Sequence, residues 1–185
     1  ALEQVHAVLQ AYPDSKILMM HKVMPDETEG AFASAEPEQK LQILNLKKDF
    51  CDYPFYFGGT ILAAEVLKGH AFCEELGMEA EREFFLSINQ EYKKIYFLNY
   101  VTFFSGRFQE GDMTFYEGIY DEDWYDRSFT QFWIPYLKKQ QEKHKKVPAF
   151  IQYHFMFTIK ARFMSNLNNR NKHVIPTGQE MHCLE

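Results

Sequence analysis

The chain has 185 residues, of which 46% are hydrophobic and 17% aromatic, and its formal net charge is −6. This length fits one domain, and the small number of Gly and Pro residues argues against extended disorder. No apolar run approaches the roughly 20 residues that span a bilayer, so the sequence predicts no transmembrane helix and no membrane partner.

Charge is divided unevenly along the chain. Residues 1–126 hold 10 Lys and Arg against 23 Asp and Glu, a balance of −13, whereas residues 127–185 hold 10 against 3, a balance of +7. This asymmetry has two interpretations. The two ends of one fold attract each other, or the basic end presents a surface to an acidic partner.

The first quarter of the chain begins with a helical pattern. Apolar residues recur at intervals of three and four through Leu2, Val5, Leu9 and Tyr12, which predicts a short helix ending at Pro13. The next segment, 16–24, fits either a second helix or a strand. Residues 25–37 are acidic and lack a period, so they predict a long loop.

The middle of the chain also has helical spacing. One helix is predicted over residues 38–50, and a second runs from Asp52 to Gly77 through the pair Gly58-Gly59. The glycines predict a bend or a close approach by another helix. Residues 79–104 predict the longest helix, which ends at Ser105-Gly106.

The last third predicts two more helices. One is capped by Asp121, is kinked or broken by Pro135 and continues into a lysine-rich run. The other has Pro148 in its first turn. Residues 169–185 predict a loosely ordered tail. The fold class predicted is therefore all-α, with about seven helices in one orthogonal or bundle-like domain over residues 1–168 and an aromatic-rich core.

Signatures of metal and cofactor chemistry are sparse. His70 and Glu74 stand four residues apart and would share a helix face, but a helix-surface hydrogen bond explains this pair as well. A haem-like cofactor could use His6 or His21 as its axial ligand, with Ser105-Gly106 on the distal side. No GxSxG, HExxH or phosphate-binding glycine loop occurs. We therefore expect no metal and no cofactor, and the sequence leaves open whether the protein is an enzyme.

A basic patch lies in the last third of the chain. Its lysines resemble an anion-binding run, yet they also suit the carboxyl end of a helix, and the acidic first two-thirds would repel nucleic acid. We expect a solvated lysine face rather than a nucleic-acid site. The patch consists of Lys138, Lys139, Lys143, Lys145 and Lys146.

The aromatic residues between positions 96 and 136 are dense enough to form a core, a ligand pocket or a protein interface. In the pocket interpretation the rings surround an apolar or aromatic small molecule, and a histidine supplies the polar contact. The candidate ligand-binding residues are Tyr96, Tyr100, Trp124, Trp133, His70 and His154.

The sequence favours a binding role over catalysis. Three cysteines without a CxxC pair indicate a reducing compartment, and hence the cytoplasm. The leading hypothesis is a cytoplasmic helical module that binds a protein partner or itself. The alternative is a helical pocket protein or enzyme that holds an apolar small molecule or a haem-like cofactor.

Overall fold

The computed structural model describes residues 2–23, 40–104 and 122–166. Contacts group the chain into two compact units. Unit 1 comprises Ala1–Phe72 and Phe84–Phe108, and unit 2 comprises Cys73–Glu83 and Gln109–Glu185. Each unit is described by itself below. The expectation of one domain over residues 1–168 stays a prediction, and the predicted loop at 25–37 and tail at 169–185 lie outside the described residues.

Unit 1 contains a mixed sheet of four described strands. They are β1 (Ile17–Val23), β2 (Leu41–Asn45), β3 (Thr60–Leu62) and β4 (Lys94–Phe104). Their order across the sheet is β2-β4-β1-β3. The central strands β1 and β4 run parallel, and each pairs with its outer neighbour in the antiparallel sense. The all-α prediction is therefore wrong, and the fold is a mixture of helices and sheet.

The central strands are buried on both faces, which explains why their spacing resembled a helix. Ile17, Leu18 and Met19 are consecutive and all buried, as are Ile95 and Tyr96. A strand covered on both sides reads as a continuous apolar run, so it shows no polar alternation. Of the two structures expected for residues 16–24, the strand is the one formed.

The helix predicted over residues 79–104 is wrong in its second half. Helix α2 (Ala80–Tyr92) ends where Lys93 takes a left-handed conformation with φ of 57°, and β4 begins at the next residue. The backbone N–H of Lys93 donates to the carbonyl of Asn89 at 2.9 Å, which closes the helix. The residues that follow are rich in aromatic and β-branched types, which favour strands.

The helices predicted over residues 38–50 and from Asp52 to Gly77 are also wrong. Residues 40–50, the described part of the first range, form β2 and a turn. The second range forms β3, a short 3₁₀ helix at Val66–Lys68 and the start of the 3₁₀ segment Glu74–Glu79. Gly59 has φ of +75°, and a Cβ placed there would lie 2.8 Å from the Cβ of Phe103. The close approach expected at the glycine pair therefore occurs, but against a strand residue rather than a helix.

Helix α1 (Leu2–Ala11) confirms the first predicted helix and supplies part of the core of unit 1. Its Val5 and Val8 pack in one cluster with residues of the central strands, and the Tyr12 and Tyr96 rings lie 5.4 Å apart. A second group of rings in this unit joins the α2 residues to the preceding connection: Tyr53, Phe57, Phe72, Phe84 and Phe85.

Unit 2 is helical in its described residues. Two 3₁₀ turns at Glu74–Glu79, separated at Gly77, lead into the first residues of α2. Later come α3 (Glu122–Tyr125), a π-helix at Ser128–Trp133, α4 (Ile134–His144) and α5 (Ala149–Asn166). Pro135 lies in the first turn of α4, directly after the π-helix, and Pro148 immediately precedes α5 rather than lying in its first turn.

Candidate binding surface on unit 2

The inner face of α5 is held by a buried arginine. The Arg162 side chain donates from Nε to the carbonyl of Trp124 at 2.9 Å and from Nη1 to the carbonyl of Thr158 at 3.2 Å. Its guanidinium lies 4.5 Å from the centre of the Trp124 ring and 4.7 Å from that of Phe129. Because Arg presents several donors in a rigid plane, one side chain here fastens α5 to α3 and to the π-helix.

A buried carboxylate compensates this charge. Glu79 is 3% exposed, and Arg82 Nη1 donates to its two carboxylate oxygens at 3.0 and 2.7 Å. Ser128 Oγ donates to the same carboxylate and accepts from Arg162 Nη2 at 2.5 Å. Burial, together with the charge of Arg82, lowers the pKa of Arg162 to about 10, so it remains a cation at neutral pH.

This polar cluster is a structural clamp. Glu79, Ser128 and Arg162 are all buried, and each has its partners within the cluster. A buried ion is tolerated only when it is paired and hydrogen-bonded, and these side chains meet that requirement among themselves. The clamp fixes which face of α5 points inward.

The outward face of α5 is apolar. Met156, Phe163 and Met164 are each 58% exposed, and Tyr153 and Phe157 on the same face are each 38% exposed. Their spacing of three, four and seven residues places all five on one side of a helix. We call this set the outer stripe. The exposed positions among and beside them carry one charge, that of Lys160, and no acidic group.

A helix that is apolar on its outward face differs from an ordinary surface helix, which turns charged residues to water. Scattered exposed apolar residues are normal, whereas a contiguous set on one element marks an interaction site. The aromatic and Met side chains in the outer stripe are also types enriched in the cores of protein interfaces. The outer stripe is therefore the candidate binding surface.

A groove of about 610 Å³ runs beside the outer stripe, between α4 and α5. Its apolar lining comes from Ile134 and Leu137 of α4, Val147 of the connection, and Phe155 and Met156 of α5. Three lysines and two glutamines complete the lining: Lys138, Lys145, Lys146, Gln141 and Gln152. Met156 belongs to both the groove and the outer stripe, so the two surfaces are continuous.

The groove divides the predicted basic patch. All five of its lysines are exposed, but only Lys138, Lys145 and Lys146 line the groove, whereas Lys139 and Lys143 do not. Lys145 follows α4 in a left-handed conformation with φ of 61°. The patch is thus partly a groove wall and partly a solvated helix face.

The candidate ligand-binding residues are distributed over both units. In unit 1, Tyr96 is buried in the strand core and Tyr100 is half-buried on β4. His70 lies outside any helix, with Nδ1 at 3.0 Å from the carbonyl of Val66 and Nε2 at 3.5 Å from Glu91. The shared helix face expected for His70 and Glu74 is therefore wrong.

In unit 2, Trp124, Trp133 and His154 are all buried. The structure brings the last two together, with ring centres 5.8 Å apart. Burial, and secondarily the charge of Arg82, holds the pKa of His154 well below its usual value. A single ligand pocket shared by all six candidates stays a prediction.

The described residues contain no group of three or more His, Cys, Asp or Glu side chains that could hold a metal ion. None of the helices in residues 2–23, 40–104 and 122–166 combines the length and apolar character that crossing a membrane requires.

Sequence reasoning missed the outer stripe. The last helix is predicted from Pro148 onward by its helical period, but that prediction assigns no binding face to it. The signal was present, because Met156, Phe163 and Met164 repeat with the same helical period. Comparison with known proteins adds no further site, since no family model, curated protein or solved structure matches this chain.

Proposed function

We propose that the protein is a binding module that acts by holding a protein partner on the outer stripe of unit 2, rather than by catalysis. The observation that carries this proposal is the apolar outward face of α5, where three side chains are more than half exposed. The buried clamp supports it, because it fixes that face outward without help from a ligand.

Covering the outer stripe supplies part, but not all, of the free energy that a specific complex needs. Full burial of a Met or Phe side chain contributes about 1.5–3 kcal/mol. Because the side chains of the outer stripe are already partly buried, a partner that covers one of them gains only a part of that free energy. A partner that covers the five residues of the stripe gains several kcal/mol, and micromolar affinity corresponds to about 8 kcal/mol. A few large anchors often supply most of an interface's binding energy.

The proposed compartment is the cytoplasm. Cys51 is exposed and Cys73 is half-buried, and both are free thiols in the structure. Free thiols persist in reducing compartments, whereas an oxidising one favours disulfides. This supports the compartment inferred from the cysteine pattern.

The test is a double variant at the far end of the stripe, Phe163→Ser with Met164→Ser. Its matched control is Leu67→Ser in unit 1, where the leucine is 53% exposed. Tagged proteins are expressed in the source cells, and partners are quantified by mass spectrometry and light scattering. A stoichiometric partner, or a second copy, should be retained by wild type and control and lost from the double variant. Equal retention by all three proteins would contradict the proposal.

A further inference from the structure

We infer that the groove between α4 and α5 binds an acidic amphipathic helix of the partner protein. This inference rests on the proposed function, because it names the part of the partner that lies beside the outer stripe. The groove is contiguous with the stripe through Met156, so one partner can cover both surfaces.

The shape of the groove suits a helix. The α4 residues on its wall, Ile134, Leu137, Lys138 and Gln141, are spaced by three and four, and Lys145 continues the same line. Eleven residues of helix rise about 16 Å, which is long enough for a partner helix with anchors at positions i, i+4 and i+7. Five apolar residues in the lining provide contacts for those anchors.

The charge of the groove favours a negatively charged partner helix. Among the described residues, three lysines and no acidic side chain line the groove. The segment from residue 134 to residue 166 holds seven Lys and Arg against one Glu, so the wider field is also positive. Carboxylates flanking the apolar anchors would meet these lysines, whereas a basic helix would be repelled.

The backbone at Lys145 provides a separate observation. A helix commonly ends with Gly in the left-handed conformation, because a side chain there is disfavoured. Lys145 occupies this conformation with a full side chain that lines the groove. A disfavoured backbone that keeps a charged group at a surface groove is typical of functional sites.

Single-stranded nucleic acid is the competing occupant for a basic groove. Binding of that kind relies on successive aromatic rings on which bases stack. One aromatic ring, that of Phe155, lines this groove, and the rest of its apolar lining is aliphatic or thioether. The lining therefore favours the leucine-type side chains of a helix over bases.

The probe is a synthetic fluorescent peptide of about 14 residues with Leu at helical anchor positions and Glu elsewhere. Binding is measured by fluorescence anisotropy at low and high salt. The test variant is Lys138→Glu with Lys146→Glu, and the matched control is Lys139→Glu with Lys143→Glu, which makes the same charge change outside the groove. We expect the test variant to bind about tenfold or more weakly, and the control to stay within about threefold of wild type.

Three results would overturn the inference. They are no peptide binding by wild type, equal loss in both double variants, or tighter binding of an otherwise identical peptide with Lys in place of Glu. Tighter binding of an oligothymidine probe that displaces the peptide would assign the groove to nucleic acid instead.

The two proposals fail separately. The Phe163→Ser and Met164→Ser variant changes no groove residue, so it should bind the peptide as wild type does. If that variant loses the cellular partner while the peptide fails to bind wild type, only the inference about the groove falls. If that variant keeps the cellular partner, the proposed function falls.

Discussion

Acid should destabilise unit 2 through His154. This side chain is buried on the inner face of α5, and burial with the nearby Arg82 charge holds its pKa well below the ordinary 6.5. In the unfolded chain the same imidazole regains its ordinary pKa. Below pH 6.5 the unfolded state therefore binds a proton that the folded state excludes, and stability falls as the pH falls.

The magnitude follows from proton linkage. One proton bound in the unfolded state alone changes the free energy of unfolding by about 1.4 kcal/mol per pH unit. Between pH 6.5 and pH 5.0 the loss from His154 is at most about 2 kcal/mol. Well above pH 6.5 the imidazole is neutral in both states, so the effect disappears. A loss of this size is a large fraction of the stability of a typical domain.

Urea unfolding at a series of pH values measures this directly. The His154→Gln variant has no imidazole to titrate, so its curve of stability against pH should be shallower than that of wild type between pH 6.5 and 5.0. The difference between the two curves should grow to at most about 2 kcal/mol. Parallel curves, or a His154 ring that titrates by NMR at or above pH 6.5 in the folded protein, would refute the reasoning.

Other variants test the clamp, the glycine contact and the left-handed lysines. Arg162→Met breaks the buried charge cluster and should cost about 3–5 kcal/mol by urea unfolding, and a loss under about 1 kcal/mol contradicts the clamp. Gly59→Ala places a Cβ against Phe103 at a positive φ, so we expect a loss of about 1–3 kcal/mol in thermal unfolding, and a neutral result shows that the contact relaxes. Lys145→Gly and Lys93→Gly should each stabilise by about 1 kcal/mol, but only the first should weaken the acidic peptide. Equal peptide affinity in both variants removes Lys145 from the groove.

The helices at both ends of the described chain could be predicted because their signals are local. Pro13 follows α1 and Pro148 precedes α5, and a proline marks such boundaries whatever the tertiary context. The basic patch was also visible, because Lys138 and its neighbours follow one another in sequence.

The sheet could not be recognised from spacing because its central strands have no polar face. In β4, Ile95, Tyr96, Leu98 and Val101 are all buried, and their intervals include three and five as well as one and two. The spacing of these residues fits a helix and a strand equally well, so only the residue types distinguish the two structures. The run from Ile95 to Phe104 is aromatic and β-branched, which favours a strand.

The outer stripe was not predicted as a site, and the reason differs from the one that applies to the sheet. The clamp joins Glu79 to Arg162 across more than 80 residues, and nothing in the spacing of these residues along the chain indicates that they meet. Tertiary packing alone decides that the face with His154, Thr158 and Arg162 points inward. The sequence could show two apolar lines on the last helix but not which of them water would meet.

The orientation of α5 is the reverse of what its composition alone would favour. Its inward positions include three polar residues four apart, His154, Thr158 and Arg162, while Met156, Phe163 and Met164 lie outward. Each buried polar group must be compensated by a hydrogen bond or an ion pair, whereas each of the three outward apolar residues stays 58% exposed. The clamp to Glu79 and Ser128 holds the helix in this orientation. The helix thus has paired polar side chains on its inner face and exposed apolar side chains on its outer face. A partner surface that covers the outer face would bury those apolar side chains, and this is the physical basis of the proposed binding role.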